Sequence, residues 1–118
     1  MKDDIRAHLH DIRQAACAVK DFVVSKTFDD YIRDDLLQSA VERKFEVMGE
    51  ALTRIRRDDP ESLATIREQR KIISFRNILI HGYDTIDDRI VWDVIKDDLD
   101  CLIEDAERLL ATPNSKPN

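Results

Sequence analysis

Apolar residues recur along this chain at the three- and four-residue spacings that place side chains on one face of an α-helix. The pattern is clearest in four segments, the second of which is expected to run from about Thr27 to Arg57. The stripes are Ile5, Leu9, Ile12, Ala16, Val19 and Val23; Leu37, Val41, Phe45, Met48, Leu52 and Ile55; Ile72, Phe75 and Leu79, with Ile78 as a further candidate; and Val91, Ile95, Leu99, Leu102, Ala106 and Leu109. The sequence therefore predicts an all-α fold, a bundle of four main helices.

Residue types that start or stop helices mark the ends of these segments. The Asp-Asp-Pro-Glu run at 58–61 is typical of a helix start, because a carboxylate can cap the first turn and proline fits its first position. It predicts a short fifth helix that extends to about Arg67. Gly82 suits the left-handed residue that ends a helix, and Asp84 or Thr85 is expected to cap the last helix.

The second helix carries an internal glycine and an acidic stripe. Gly49 costs a helix interior about 1 kcal/mol relative to alanine, so close approach by another helix is the expected reason for it. Glu42, Glu46 and Glu50 follow each other at four-residue intervals, but a di-iron site would need Glu-x-x-His pairs, which none of the three histidines completes. The stripe is therefore expected to be solvated or paired with arginines, with no metal bound.

Composition supports a single helical domain. The chain has 118 residues, of which 42% are hydrophobic and 37% charged, with only two glycines and three prolines. So few turn-forming residues argue against an all-β fold. We expect one domain at 1–111 and a disordered tail at 112–118, which contains two prolines and no large apolar residue.

The chain lacks the features of an exported or membrane protein. Charged residues interrupt its beginning, and no stretch approaches the roughly 18 apolar residues of a membrane span. The two cysteines, Cys17 and Cys101, lie within helical stripes; a disulfide between them is possible, but free thiols in a reducing compartment fit better. The expected location is the cytoplasm.

Charge is unevenly distributed, although the net charge is −6. Seven basic residues and four acids lie between positions 54 and 76, whereas ten acids and two basic residues lie between 84 and 107. Phosphate binding depends on the local field more than on the net charge, so the basic stretch leaves nucleic-acid binding open. Ordinary solvated surface charge also explains both runs, and the charge distribution alone favours that interpretation.

The segment with the most reactive residue types is Arg76–Tyr83 (Arg-Asn-Ile-Leu-Ile-His-Gly-Tyr). Arg76 offers a planar fork suited to phosphate, and His81 belongs to the one residue type whose free side chain is suited to proton transfer near neutrality. Asn77 shares a helical face with His81, but Arg76 lies roughly 140° away from it around an ideal helix. The two converge within one chain only if the long arginine reaches round or the helix end unwinds. A two-fold axis would instead place two Arg/His pairs in one groove.

Such a groove suits metal-free RNA cleavage. One histidine could take the proton of the ribose 2′-hydroxyl, the arginines could stabilise the charged phosphorane, and the second histidine could protonate the leaving oxygen. A surface arginine and a histidine at a helix end would have the same spacing without any catalytic role, and spacing alone favours that simpler interpretation.

A wider resemblance favours catalysis. The Arg-x4-His-x-Tyr pattern of Arg76, His81 and Tyr83 resembles that of the HEPN superfamily, and in particular its HepT-like toxins encoded beside minimal nucleotidyltransferase antitoxins. The segments Glu42–Ala51 and Asp84–Trp92 are similar to that family's second helix and to its connection into the last helix. The resemblance implies an all-helical homodimer that cleaves RNA without a metal or cofactor.

The same resemblance assigns residue roles. It implies that Arg76 and His81 are the catalytic pair, that Asn77 is the supporting polar residue, and that Tyr83 receives AMP from the antitoxin, which silences the toxin. Many relatives carry a Pro-Trp pair before the motif helix, whereas this chain has Glu-Gln-Arg-Lys at 68–71, so contacts at that point do not transfer. The alternative is a non-catalytic helical module that binds a nucleotidyltransferase or RNA, although such a module has no need of both Arg76 and His81.

Overall fold

Helices account for nearly all of the described chain. The computed structural model describes residues 1–82 and 87–113, and within these ranges there is no strand. The helices are α1 (Asp3–Val23), α2 (Phe28–Ile32), α3 (Asp35–Asp58), α4 (Pro60–Ala64), α5 (Gln69–His81), α6 (Asp88–Asp97) and α7 (Leu99–Leu110). The predicted all-α bundle is confirmed. Most of the predicted tail, 114–118, lies outside the described residues.

The predicted second helix is divided into α2 and α3. Thr27 begins α2 with a capping box, in which its hydroxyl accepts from the backbone N–H of Asp30 and the Asp30 carboxylate accepts from that of Thr27. Asp34 then caps α3, since its carboxylate accepts from the backbone N–H of Leu37 at 3.0 Å. Because Asp34 starts a new helix so soon after Thr27, α2 is only five residues long.

The predicted last helix is also divided, at Asp98. Trp92 of α6 packs against Tyr31 of α2, with 5.5 Å between ring centroids, whereas α7 packs along α1. The break lets the two halves of the stripe face different partners. The predicted cap at Asp84 or Thr85 was wrong: α6 begins at Asp88, where the Asp87 carboxylate accepts from the backbone N–H of Arg89.

The predicted ends of α4 and α5 are largely confirmed. Asp59 caps α4 and Pro60 is its first residue, while Gly82 ends α5 in the left-handed conformation at φ 64°. However, α4 ends at Ala64 and not near Arg67, because the backbone N–H of Arg67 donates to an Asp105 carboxylate oxygen at 2.8 Å instead of continuing the helix.

The core lies around α3, which packs against α1 on one side and α5 on the other. Phe45 of α3 and Phe75 of α5 meet edge to face, with 5.7 Å between ring centroids, and both are buried. Leu79, predicted to be buried, is only partly so, whereas the buried set of α5 includes Ile73. The reason is that α5 packs mainly on α3 alone, so its last turn is half open to solvent and Ile80 is 50% exposed.

The two cysteines are free thiols, as predicted, and both are half-buried. Among the described helices, none combines the length and the apolarity that a membrane span requires.

Ion pairs join the basic stretch to the acidic end of the chain. The Arg67 side chain donates to Asp105 at 3.0 and 3.1 Å and to Glu104 at 3.2 Å, and Lys71 donates to Asp98 at 2.9 Å. Arg108 also lies 3.6 Å from Asp105, whose side chain is only 5% exposed. The uneven charge of the sequence therefore helps to fasten the start of α5 to α6 and α7.

We expect Asp105→Asn to lower the free energy of unfolding by about 2 kcal/mol near pH 7, because hydrogen bonds to charged groups are lost and the Arg67 N–H loses its anionic acceptor. Glu104→Gln is the matched control: Glu104 meets the same arginine but is 66% exposed, so its loss should cost less than about 0.5 kcal/mol. Chemical denaturation of the three proteins measures both values. Equal costs would contradict this interpretation.

The same comparison has a defined pH dependence. Burial alone would raise the pKa of Asp105, but the hydrogen bonds from Arg67 outweigh it and hold the pKa below its ordinary value. The stabilisation by ionised Asp105 is therefore complete above its unfolded-state pKa of about 3.9. It is lost as the pH falls through the lower folded-state pKa. The difference in unfolding free energy between wild type and Asp105→Asn should become smaller as the pH falls. An equal difference at acidic and neutral pH would contradict the pairing of Asp105 with Arg67.

Candidate active site

Arg76 is held in a defined position on α5. Its side chain is 24% exposed; Nη2 donates to Oε2 of Glu50 on α3 at 2.5 Å, and Nη1 donates to Oδ1 of Asn77 at 3.1 Å. Its Nε is buried and has no hydrogen-bond partner among the described residues. The guanidinium is therefore oriented by a carboxylate and an amide while some of its donors remain unused.

The glycine inside α3 makes this arrangement possible. A Cβ atom at Gly49 would lie 2.2 Å from Cβ of Arg76, 2.7 Å from its Cγ and 3.3 Å from the backbone oxygen of Ile72. The expectation that another helix approaches closely at Gly49 is confirmed, and that helix is α5. The stem of Arg76 lies across the glycine, so its guanidinium reaches the neighbouring residue, Glu50.

Glu50 contacts two arginines at once. Its Oε1 accepts from Nε of Arg54 at 3.0 Å while Oε2 accepts from Arg76. Burial alone would raise the pKa of Glu50, but the hydrogen bonds from the two arginines outweigh it and keep the pKa below its ordinary value, so the carboxylate is ionised near neutrality.

Two of the three acids in the α3 stripe, Glu46 and Glu50, are paired with arginines, which is one of the two expected arrangements. Beside the two arginines on Glu50, Arg43 lies 3.3 Å from Glu46. Within 1–82 and 87–113, no three His, Cys, Asp or Glu side chains gather in the way a metal site would require.

His81 is the last residue of α5 and is exposed. The helix stays regular to this point, since the backbone N–H of Gly82 donates to the Ile78 oxygen at 3.0 Å. An unwound end, one of the two ways in which Arg76 and His81 could converge within one chain, is therefore absent. Arg76 bonds instead towards α3, and roughly 140° of rotation separates the two positions on a regular helix. Asn77 is exposed beside Arg76, and Tyr83 lies outside the described residues.

The sequence did not identify Glu50 and Arg54 as part of this site. The acidic stripe was expected to pair with arginines, but nothing indicated that one partner would be Arg76, 26 residues away. The available signal was the glycine beside Glu50: a helix that approaches at Gly49 brings its own polar residues next to that carboxylate.

Known proteins resemble this chain over most of its length. The sequence model of the HepT-like ribonucleases matches residues 12–109. The chain belongs to the HepT-like ribonuclease family. A protein of Thermococcus cleftensis provisionally named ribonuclease HepT is 32% identical over 109 residues, which cover 92% of this chain and 98% of the relative.

Two further relatives match this chain over a similar share of its length. A protein of Methanocaldococcus jannaschii provisionally named an RNase is 31% identical over 106 residues, covering 90% of this chain and 96% of its own. A protein of Caldanaerobacter subterraneus with the same provisional name is 27% identical over 105 residues, covering 89% and 93%. No solved structure matches the chain significantly.

We expect Gly49→Ala to destabilise the protein despite the higher helix propensity of alanine. The propensity gain is about 1 kcal/mol, but overpacking against a backbone-proximal atom costs roughly 1–3 kcal/mol, because Cβ of Arg76 cannot swing aside. Ser39→Ala, at an exposed position of the same helix, is the control and should change the unfolding free energy by less than about 0.5 kcal/mol. Thermal and chemical denaturation measure both; a clear stabilisation by Gly49→Ala would contradict the close packing.

Proposed function

We propose that the protein is a metal-independent endoribonuclease that acts as a homodimer, with Arg76 and His81 as its catalytic pair and Asn77 as a supporting polar residue. The main support is a half-buried arginine that Glu50 and Asn77 orient on the same helix as an exposed histidine, in a member of a ribonuclease family. A guanidinium arranged before substrate binds needs no reorganisation during the reaction.

The proposed chemistry is transfer of the phosphoryl group to the neighbouring 2′-hydroxyl. His81 takes the hydroxyl proton, the 2′-oxygen bonds to phosphorus, and Arg76 donates to the phosphorane oxygens as negative charge develops. The bond to the 5′-oxygen breaks, and His81 of the second protomer protonates that oxygen. The products are a 2′,3′-cyclic phosphate and a free 5′-hydroxyl.

The geometry of α5 favours a site shared by two protomers. Because Arg76 bonds towards α3 and His81 follows five residues later on an unbroken helix, one chain supports two functional groups that point in different directions. A two-fold axis near the end of α5 would bring two such pairs together. Ile80, which is 50% exposed between them, supplies apolar surface for that contact.

The proposal extends to regulation as the toxin of a toxin–antitoxin pair. A minimal nucleotidyltransferase antitoxin would transfer AMP from ATP to the hydroxyl of Tyr83. Tyr83 lies two positions after His81, so their Cα atoms are at most about 7 Å apart. An adenylate attached there would put a phosphate and a bulky base near the catalytic histidine and would compete with RNA for Arg76.

We expect the wild-type protein to cut single-stranded RNA in the presence of a chelator and to leave cyclic phosphate ends. Arg76→Ala and His81→Ala should each lower the cleavage rate by at least about 100-fold, the lower end of what general acid–base groups contribute. His10→Ala replaces an exposed histidine of α1 and should cut normally. The measurement is gel analysis of end-labelled RNA, with circular dichroism and native mass as checks on fold and dimer.

Three outcomes would overturn all or part of this proposal. Full activity of His81→Ala would exclude the mechanism, and a strict requirement for a divalent ion would exclude its metal-free form. Binding of RNA without cleavage by the wild-type protein would favour the non-catalytic module.

Tyr83→Phe should still cut RNA but escape silencing, because only the acceptor oxygen is removed. The test is intact mass and RNA cleavage after incubation with the nucleotidyltransferase and ATP. Tyr31→Phe, at the other tyrosine of the chain, is the matched control: its hydroxyl is buried without a hydrogen-bond partner among the described residues, so the variant should gain AMP like wild type. An equal mass gain on Tyr83→Phe would place the modification elsewhere.

A further inference from the structure

Arg54 is held beside Arg76 by a shared carboxylate. The two oxygens of Glu50 accept from one arginine each, at 3.0 Å from Arg54 and 2.5 Å from Arg76. The two donor nitrogens are therefore separated by no more than two hydrogen bonds and the width of one carboxylate. This is the scale of the spacing between neighbouring phosphates along a nucleic-acid strand.

Arg54 also keeps unused donors that face solvent. Its side chain is 48% exposed, and its hydrogen bond in the described part of the chain uses Nε alone, which leaves both Nη groups for a ligand. A groove of about 340 Å³ between α1 and α3 begins at this point, and both basic residues (His8, Arg43) and acidic ones (Asp11, Glu46) line it. An RNA strand that extends from Arg76 towards this groove would reach Arg54 first.

Three of the other five cations in the basic stretch form ion pairs within the protein. Arg57 forms two hydrogen bonds to Asp58, Arg67 binds Asp105 and Glu104, and Lys71 binds Glu68 and Asp98. Each of these cations meets at least one carboxylate of its own. Around Glu50, by contrast, two guanidinium groups share a single carboxylate, so the trio keeps one net positive charge.

We propose that Arg54 is a second phosphate-binding residue, aligned beside Arg76 by Glu50 so that the protein binds two successive phosphates of single-stranded RNA. This rests on the proposed ribonuclease function. Arg76 binds the phosphate that reacts, and Arg54 binds the next phosphate along the strand. Glu50 is a positioning residue: it holds the two arginines and contacts neither phosphate. Arg54 therefore contributes to substrate binding and not to the chemical step.

The first test measures binding of an oligonucleotide of 2′-O-methyl RNA, which cannot be cleaved, by fluorescence anisotropy at several salt concentrations. One phosphate contact on a single strand contributes a slope of about 0.7 to the dependence of log affinity on log salt. Arg54→Gln should lower the slope by that amount, so wild type should lose roughly 2.5-fold more affinity than the variant between about 50 and 200 mM salt. Arg13→Gln, where the arginine is 44% exposed and paired with Glu107, is the control and should keep the wild-type slope.

The second test compares two cleavable substrates, a dinucleoside monophosphate with one phosphodiester and a longer oligoribonucleotide. Arg54→Gln should raise KM for the oligonucleotide more than KM for the dinucleotide, because only the longer substrate has a neighbouring phosphate, and should change kcat little. Glu50→Gln should lower kcat on both substrates, because Arg76 loses its alignment. If Glu50 acted only by repelling RNA, Glu50→Gln would instead improve RNA binding and cleavage, because the substitution removes a negative charge.

The outcomes separate this inference from the proposed function. Three results would each overturn the role of Arg54 while the ribonuclease proposal stands: a wild-type slope in Arg54→Gln, an equal drop of the slope in Arg13→Gln, or an equal rise in KM for both substrates in Arg54→Gln. If wild type binds RNA without cutting it, the ribonuclease proposal fails and the slopes still decide whether Arg54 binds phosphate. If wild type does not bind RNA, both are overturned.

Discussion

The absence of a side chain at position 49 is the constraint on which the site depends. It lets α3 and α5 approach until a Cβ there would lie 2.2 Å from that of Arg76. Packed interiors are too dense to absorb such an overlap, so any larger residue would push the helices apart. At the observed distance the Arg76 stem crosses α3 and its guanidinium meets Glu50. The spacing of two helices and the direction of one side chain are therefore decided together.

This packing places a cation where it is only 24% exposed, which would be unfavourable without compensation. Glu50 supplies the compensating charge, and Asn77 accepts a second hydrogen bond. For a ribonuclease the benefit is an arginine oriented before RNA arrives, since donors fixed in advance need not reorganise in the transition state. The cost is competition, because RNA must attract donors that already face a carboxylate.

Charge along the chain serves the fold as well as the site. Asp98, between α6 and α7, and Glu104 and Asp105 of α7 bind Arg67 and Lys71 near the start of α5, so these two cations of the basic stretch are paired within the protein. This fixes one end of α5 by ion pairs while its middle is fixed by packing on α3. The other end of α5 remains open to solvent, where His81 is exposed.

The sequence by itself determined the features that depend on near neighbours along the chain. The buried stripes, the start of α4 at Pro60 and the left-handed end of α5 at Gly82 follow from helical periodicity and capping, which act over a few residues. The Arg76–Tyr83 motif likewise identified the family. Only the tertiary structure decided that Glu50 meets Arg76, because residues 26 apart come together through the distance and angle at which two helices pack. The break at Asp98 is of the same kind, since a continuous apolar stripe does not specify that its two halves face different helices.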